Sequence, residues 1–231
     1  MSNTRLKSSF SIERAHRAQI ALSKRLIFED QIPETIRFVA GVDVAYTDKF
    51  SIAAVAVLDY NTLEMKETKV SVSKTSFPYI PTLLSFRELP AAAKCIRKLQ
   101  TVPDIFLVDG HGYAHPYRCG FACHLGLYLK KPTIGVAKKI LAGTVMEEVE
   151  GKADLLVDHD EIIGAEVRKQ PSTKPVYVSV GNMLSLETAI RVVTHCIDLK
   201  SIPKPILLAH NIANEKKREI NKSTRNTRSA Q

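Results

Sequence analysis

The chain has 231 residues, 45% of them hydrophobic, enough to bury a substantial core as one domain with appendages, so disorder is not the default. Lysine and arginine outnumber aspartate and glutamate by 33 to 24, giving a net charge of +9 and a pI of about 9.4, and a surface of that sign attracts polyanions. Four cysteines without regular disulfide spacing, and no apolar stretch of the signal-peptide or membrane-spanning kind near the first residue, predict a cytoplasmic protein with no membrane partner.

Residues 1–36 read as an amino-terminal helical segment. Within residues 11–29, Ser11 precedes an acidic first turn, and Ile12, Ala15, Ala18, Ala21, Leu22 and Ile27 are spaced among many bases as on an amphipathic surface helix outside the core. The stretches 37–46, 51–60 and 63–72 are rich in β-branched residues and separated by short turn-like breaks, which predicts three consecutive antiparallel strands. Pro81 then suits the start of a helical turn, and Pro90 the start of a longer helix through Leu99.

Residues 104–110 read as a buried strand, 120–129 as a helix, 131–137 and 174–181 as further strands, and Ser185 to Asp198 as a helix. Between them, 144–170 has clustered acids and weak periodicity, and reads as strands or loops. Cys119, Cys123 and His124 make only part of a zinc-like spacing; buried thiols on a helix are the expected reading. The last residues, 215–231, are basic and almost free of apolar side chains, which predicts a helix end running into a disordered tail.

Two acids need explaining. Strand alternation puts Asp43 on one face with Val39, Gly41 and Ala45, among small or apolar neighbours. Asp109 ends the apolar run Ile105 to Val108 and is followed by Gly110, His111 and Gly112. Burying an ionised carboxylate costs several kcal/mol unless it is paired or bound to a cation. Each acid taken singly is accounted for by a backbone or lysine partner, whereas two at the ends of neighbouring core strands are suited to divalent cations.

The order of elements is three antiparallel strands with Asp43 on the first, Glu88 at the entrance to a helix, then a parallel strand ending in Asp109. It resembles the α/β ribonuclease H-like fold, a mixed central sheet flanked by helices. In that fold acids in these places bind the metals of phosphodiester cleavage, and a late helix supplies one more ligand, for which His210 in "LLAHNIANE" is the candidate.

Five strings narrow the resemblance: "GVDVAY" (41–46), "PYIP" (78–81), "SFRE" (85–88), "LVDGHG" with "AHP" (107–116) and "IGVAKK" (134–139). In this order and spacing they are similar to endonuclease V, over residues 37–143 and again at His210, within one nuclease domain spanning 1–214. The resemblance implies a monomeric Mg²⁺-dependent endonuclease, with Mn²⁺ as substitute, acting in DNA repair. Its partner would be nucleic acid containing inosine, in DNA or, for some members, RNA, cut at the second phosphodiester on the 3′ side.

It also implies roles. Asp43 and Asp109 would be the principal metal ligands, with Glu88 and His210 completing the shell or orienting water, and Lys138 would face the cleaved phosphate. Tyr79, framed by Pro78, Ile80 and Pro81, would wedge into the space left by an extruded base. Leu84, Gly110, Gly112 and Leu141 would line the base pocket, and His115 would contact the strand. Thr82 departs from the family pattern, which commonly has glycine there, and the 215–231 tail lies outside the resemblance. A different ribonuclease H-like nuclease and a non-catalytic nucleic-acid-binding protein are the alternatives, the second disfavoured because carboxylates facing phosphates do not help binding.

Overall fold

The computed structural model describes residues 11–146, 154–197 and 201–229. Helix α1 (Ile12–Ser23) precedes β1 (Phe38–Tyr46), β2 (Phe50–Asp59) and β3 (Met65–Lys74); α2 (Leu84–Ile96), β4 (Ile105–Asp109), α3 (Phe121–Leu129) and β5 (Thr133–Ala137) follow. Then come β6 (Thr144–Met146), β7 (Leu155–Asp158), β8 (Glu161–Val167), β9 (Val176–Asn182), α4 (Leu186–Cys196) and α5 (Lys204–Ser229). The strands form one open mixed sheet in the order β3-β2-β1-β4-β5-β9-β8-β7-β6. The expected α/β class and its run of antiparallel then parallel strands are both present: β1 pairs antiparallel with β2 and parallel with β4, and β4 pairs parallel with β5.

Central strands are covered on both faces. Val39 and Ala45 of β1 pack with Ala209 and Ala213 of α5, while Ala40, Val42 and Val44 pack with Ala91, Ala92 and Cys95 of α2 and with α3. Parallel strands buried on both sides read as continuous apolar runs, which is what "IFLV" displays.

Three differences from the sequence expectations bear on the site. Pro90 does not start a helix but lies inside α2, so Glu88 falls in the body of that helix rather than at its entrance. One ladder bond is lost at the proline; the packing of Ser85, Glu88, Ala91, Ala92 and Cys95 along one buried face holds the helix across it. Helix α1 is not wholly superficial, because Gln19 is fully buried. Helix α5 runs 26 residues to Ser229, so most of the tail expected to be disordered is helical. Its apolar stripe of Ile206, Ala209, Ala213 and partly buried Ile220 docks on the sheet and extends past the point where composition turns basic. No helix among the described residues is long and apolar enough to cross a membrane.

Candidate active site

Parallel pairing brings the two acids together. The β1–β4 register ends at Val42 opposite Val108, so Asp43 and Asp109 are the next residues on adjacent strands, at their shared carboxyl edge. In open α/β sheets that edge is where sites form. Asp109 in turn pairs with Val136 of β5, and two residues later Lys138 reaches back to donate from Nζ to Asp109 Oδ2 at 2.8 Å.

The third partner comes from 167 residues away. His210, in the second turn of α5, sets its Nδ1 2.8 Å from Asp43 Oδ2, and Asn214 Nδ2 lies 3.1 Å from the other ring nitrogen. An amide N–H can only donate, so Nε2 accepts and Nδ1–H donates to the carboxylate. Asp43 Oδ1 accepts from the Val44 amide at 2.8 Å, which fixes the second oxygen. What lets α5 come this close is Gly41: a Cβ on it would lie 2.1 Å from the carbonyl of Pro205 in the first turn of α5.

Carboxylate oxygens of Asp43 and Asp109 and a ring nitrogen of His210 lie within 4.8 Å of one another; with both ring nitrogens hydrogen-bonded, His210 orients Asp43 and the two carboxylates are the oxygen donors of the group. Glu88, called for the same shell, contributes no atom to that group. It is buried nearby, close enough to feel the charge of both acids. Burial first, then the neighbouring Asp109, pushes the Asp43 carboxyl above its ordinary range, despite the opposing pull of His210. Burial likewise raises Glu88 well above its range; the nearby Tyr46 phenol opposes this, while Asp43 and Asp109 reinforce it. Glu88 Oε2 has no well-formed hydrogen bond. Three clustered carboxylates, one of them with an orphaned buried oxygen, present hard oxygen donors and unbalanced negative charge, and so fit a divalent cation of the Mg²⁺ or Mn²⁺ type.

Next to the cluster is a small pocket of about 180 Å³ lined by Tyr79, Ile80, Pro81, Leu84, Gly110, His115 and Leu141 of the expected set. Thr82, Ser85, His111, Gly120 and Phe121 complete its wall. Tyr79 is 69% exposed and projects from the loop held by its prolines. Pro78 and Gly112 do not line the pocket: Gly112 packs on β9, where a Cβ would lie 2.3 Å from Val180 O, and its amide donates to Ser179 Oγ.

Thr82 has φ +69°, the left-handed conformation that glycine takes at no steric cost and that is rare for a β-branched residue. Two bonds from α1 hold it there: Gln19 Nε2 donates to Thr82 O (2.8 Å), and His16 pairs with Thr82 Oγ1 at 2.9 Å; the same Gln19 amide also donates to Cys119 O (2.9 Å). Sequence reading missed Gln19 and His16, because a glutamine or histidine on a basic helix has the same pattern whether it faces solvent or a partner more than 60 residues away.

Burial, then the neighbouring His111, lowers His115 to about 4, and its Nδ1 accepts from the Tyr117 amide at 3.2 Å. A histidine held neutral in the folded state binds fewer protons than in the unfolded chain between the two pKa values, so its contribution is complete above 6.5 and lost as pH falls toward 4. The full difference is on the order of 3 kcal/mol. His115→Gln is therefore expected to flatten the fall in urea midpoint between pH 6.5 and 4. Parallel wild-type and variant curves across that window would show that His115 is not held neutral.

The family model described as Endonuclease V matches residues 20–211. The endonuclease V of Thermofilum pendens is 43% identical over 207 residues, 89% of each chain. That of Rippkaea orientalis is 44% identical over 228 residues, 95% of this chain and 99% of its own. Among solved structures, endonuclease V from Streptomyces avermitilis is similar with a TM-score of 0.85 at 33% identity, covering 94% of this chain and 99% of the other. A Ciona intestinalis endonuclease V, in complex with a 24mer DNA containing an inosine followed by a ribo-adenosine, gives 0.81 at 26% identity over 90% and 98% of the two chains.

Proposed function

Given that the chain belongs to the endonuclease V family and is an endonuclease, we propose that it recognises inosine in DNA and hydrolyses the second phosphodiester bond on the 3′ side, with Mg²⁺. The observation that carries this reading is the convergence of Asp43, Asp109 and His210 beside the pocket under Tyr79. The inosine-containing DNA bound by the Ciona intestinalis relative supports the choice of lesion.

Asp43 and Asp109 would hold the cation, with Glu88 and His210 around it. Bound there, Mg²⁺ would polarise the phosphodiester and offset the charge that develops on its oxygens. His210 orients Asp43, and Asn214 fixes the tautomer that makes this bond. Lys138, paired with Asp109 and about half exposed, is placed to swing its ammonium onto the phosphate. A pocket of about 180 Å³ is small beside the roughly 300–1,000 Å³ of a drug-sized site, which suits one extruded base rather than a nucleotide.

Tyr79 would fill the gap that base leaves. Extrusion costs a few kcal/mol, least for a mispaired base, and an aromatic insert recovers about 1–3 kcal/mol of stacking. Because the loop is stiffened by Pro78 and Pro81, little freedom is lost on insertion. Tyr79→Ala is expected to lower cleavage of an inosine duplex on the order of 10-fold and to change cleavage of an unpaired inosine strand much less; equal losses on both would rule out the wedge.

The direct test is one labelled inosine strand, as DNA and as RNA, with and without Mg²⁺, with the break mapped. A single Mg²⁺-dependent break at the second bond 3′ to inosine is the expected product. Cleavage at unmodified adenine with equal efficiency would favour a ribonuclease H-like nuclease of other specificity.

A further inference from the structure

Helix α5 carries a second stripe that neither the acid cluster nor the pocket uses. With Ile206, Ala209, Ala213 and Ile220 turned to the sheet, His210, Asn214, Lys217, Asn221 and Thr224 recur at intervals of four and three and share another face. The first two belong to the site. The last three form one wall of a groove of about 550 Å³, whose other walls are the β1–β2 turn, with Lys49, and Arg87 of α2.

The groove is cationic, and three of its lining residues, Tyr46, Arg87 and Lys217, belong to the elements that carry Asp43, Glu88 and His210. Lys49, Arg87 and Lys217 line it against one acid, Asp48. Neither lysine is in an ion pair among the described residues. The Arg87 guanidinium carbon lies over the Tyr46 ring, 4.3 Å from its centroid, and its buried Nε has no partner. Lys217 is two turns beyond His210, roughly 10 Å along the helix axis. The groove and the pocket share no lining residue: Gly110, beside Asp109, faces the pocket, whereas Tyr46, three residues past Asp43, and Arg87, beside Glu88, face the groove.

We propose that this groove binds the phosphodiester backbone of the substrate strand beyond the point of cleavage, on the side away from Tyr79. Spaced cations and amide and hydroxyl donors at helical intervals recognise phosphates without reading bases. The α5 extension, which composition alone assigns to a solvated tail, thereby becomes a rail for the strand. The inference rests on the reading that this chain cleaves a nucleic-acid strand, but not on inosine being the lesion.

The test is a Lys49→Gln/Lys217→Gln double variant, with binding to single strands measured across a salt series in buffer free of divalent cations. Removing two phosphate contacts is expected to weaken binding about 10-fold and to lower the slope of log affinity against log salt by roughly 1.4. The loss should be the same on strands with and without inosine. If wild type fails to prefer inosine, the functional reading of the pocket is wrong, yet the slope change still reports on the groove. Two shortened strands, each trimmed on one side of the inosine, locate the contact: on one of them variant and wild type should bind alike. An unchanged slope, or equal weakening on both trimmed strands, would overturn the proposal.

Discussion

Asp43→Asn is expected to slow strand cleavage on the order of 10³-fold while leaving affinity for the strand within a few-fold of wild type. The side chain keeps its size, and its remaining oxygen can still accept from the Val44 amide or from His210, so the fold tolerates the change. What disappears is the charge at the centre of the cluster. About 4 kcal/mol of lost transition-state stabilisation corresponds to roughly a thousandfold in rate. A carboxylate contributes nothing favourable to holding a polyanion, hence the small effect on affinity. Thermal melting supplies a second reading: a cation that binds only the folded state raises the melting temperature with concentration, and the variant should lose most of that shift for Mg²⁺. Cleavage at the wild-type rate would remove Asp43 from the centre and the metal reading with it.

The second large effect is expected from Gly41→Ala, a change of one methyl group. Its new Cβ would lie 2.1 Å from both the carbonyl carbon and the oxygen of Pro205, and 2.4 Å from the Ile206 amide nitrogen. These are backbone atoms, so no side chain can rotate away, and α5 itself must shift. Overpacking of this kind costs about 3 kcal/mol. Because His210 sits five residues further along the same helix, the displacement also disturbs its bond to Asp43. Both unfolding midpoint and cleavage rate should therefore fall, with Mg²⁺ affinity falling in parallel. An unaltered midpoint would mean that α5 is not seated against β1 at this point.

These two positions stand two residues apart in the same strand and differ in how legible they are. Asp43 is anomalous in its own neighbourhood, an acid among apolar residues, and the energy of burying charge makes such an anomaly readable without any coordinates. Gly41 carries no such mark; its importance lies wholly in a helix that arrives more than 160 residues later. The same contrast runs through the site. Asp109 and the framed Tyr79 are conspicuous locally, whereas Gln19, Asn214 and Arg87 have ordinary surface-type surroundings in sequence and acquire their roles from distant partners.

Local spacing by itself determined the strands from Phe38 to Lys74, the buried strand ending in Asp109, the helices capped by Ser11 and Ser185, and the anomaly of an acid in each of two apolar strands, whose adjacency only the sheet pairing supplied. Strand and helix periodicity, turn residues and capping act between residues a few positions apart, so they are written in the order of the chain. Tertiary structure alone decided that α2 continues through Pro90, that Thr82 holds a left-handed backbone beneath α1, that Gly112 serves β9 instead of the pocket, and that α5 stays helical to Ser229. In each case contacts from far along the chain outweigh a local preference of about 1–3 kcal/mol, and such contacts exist only once the sheet has assembled.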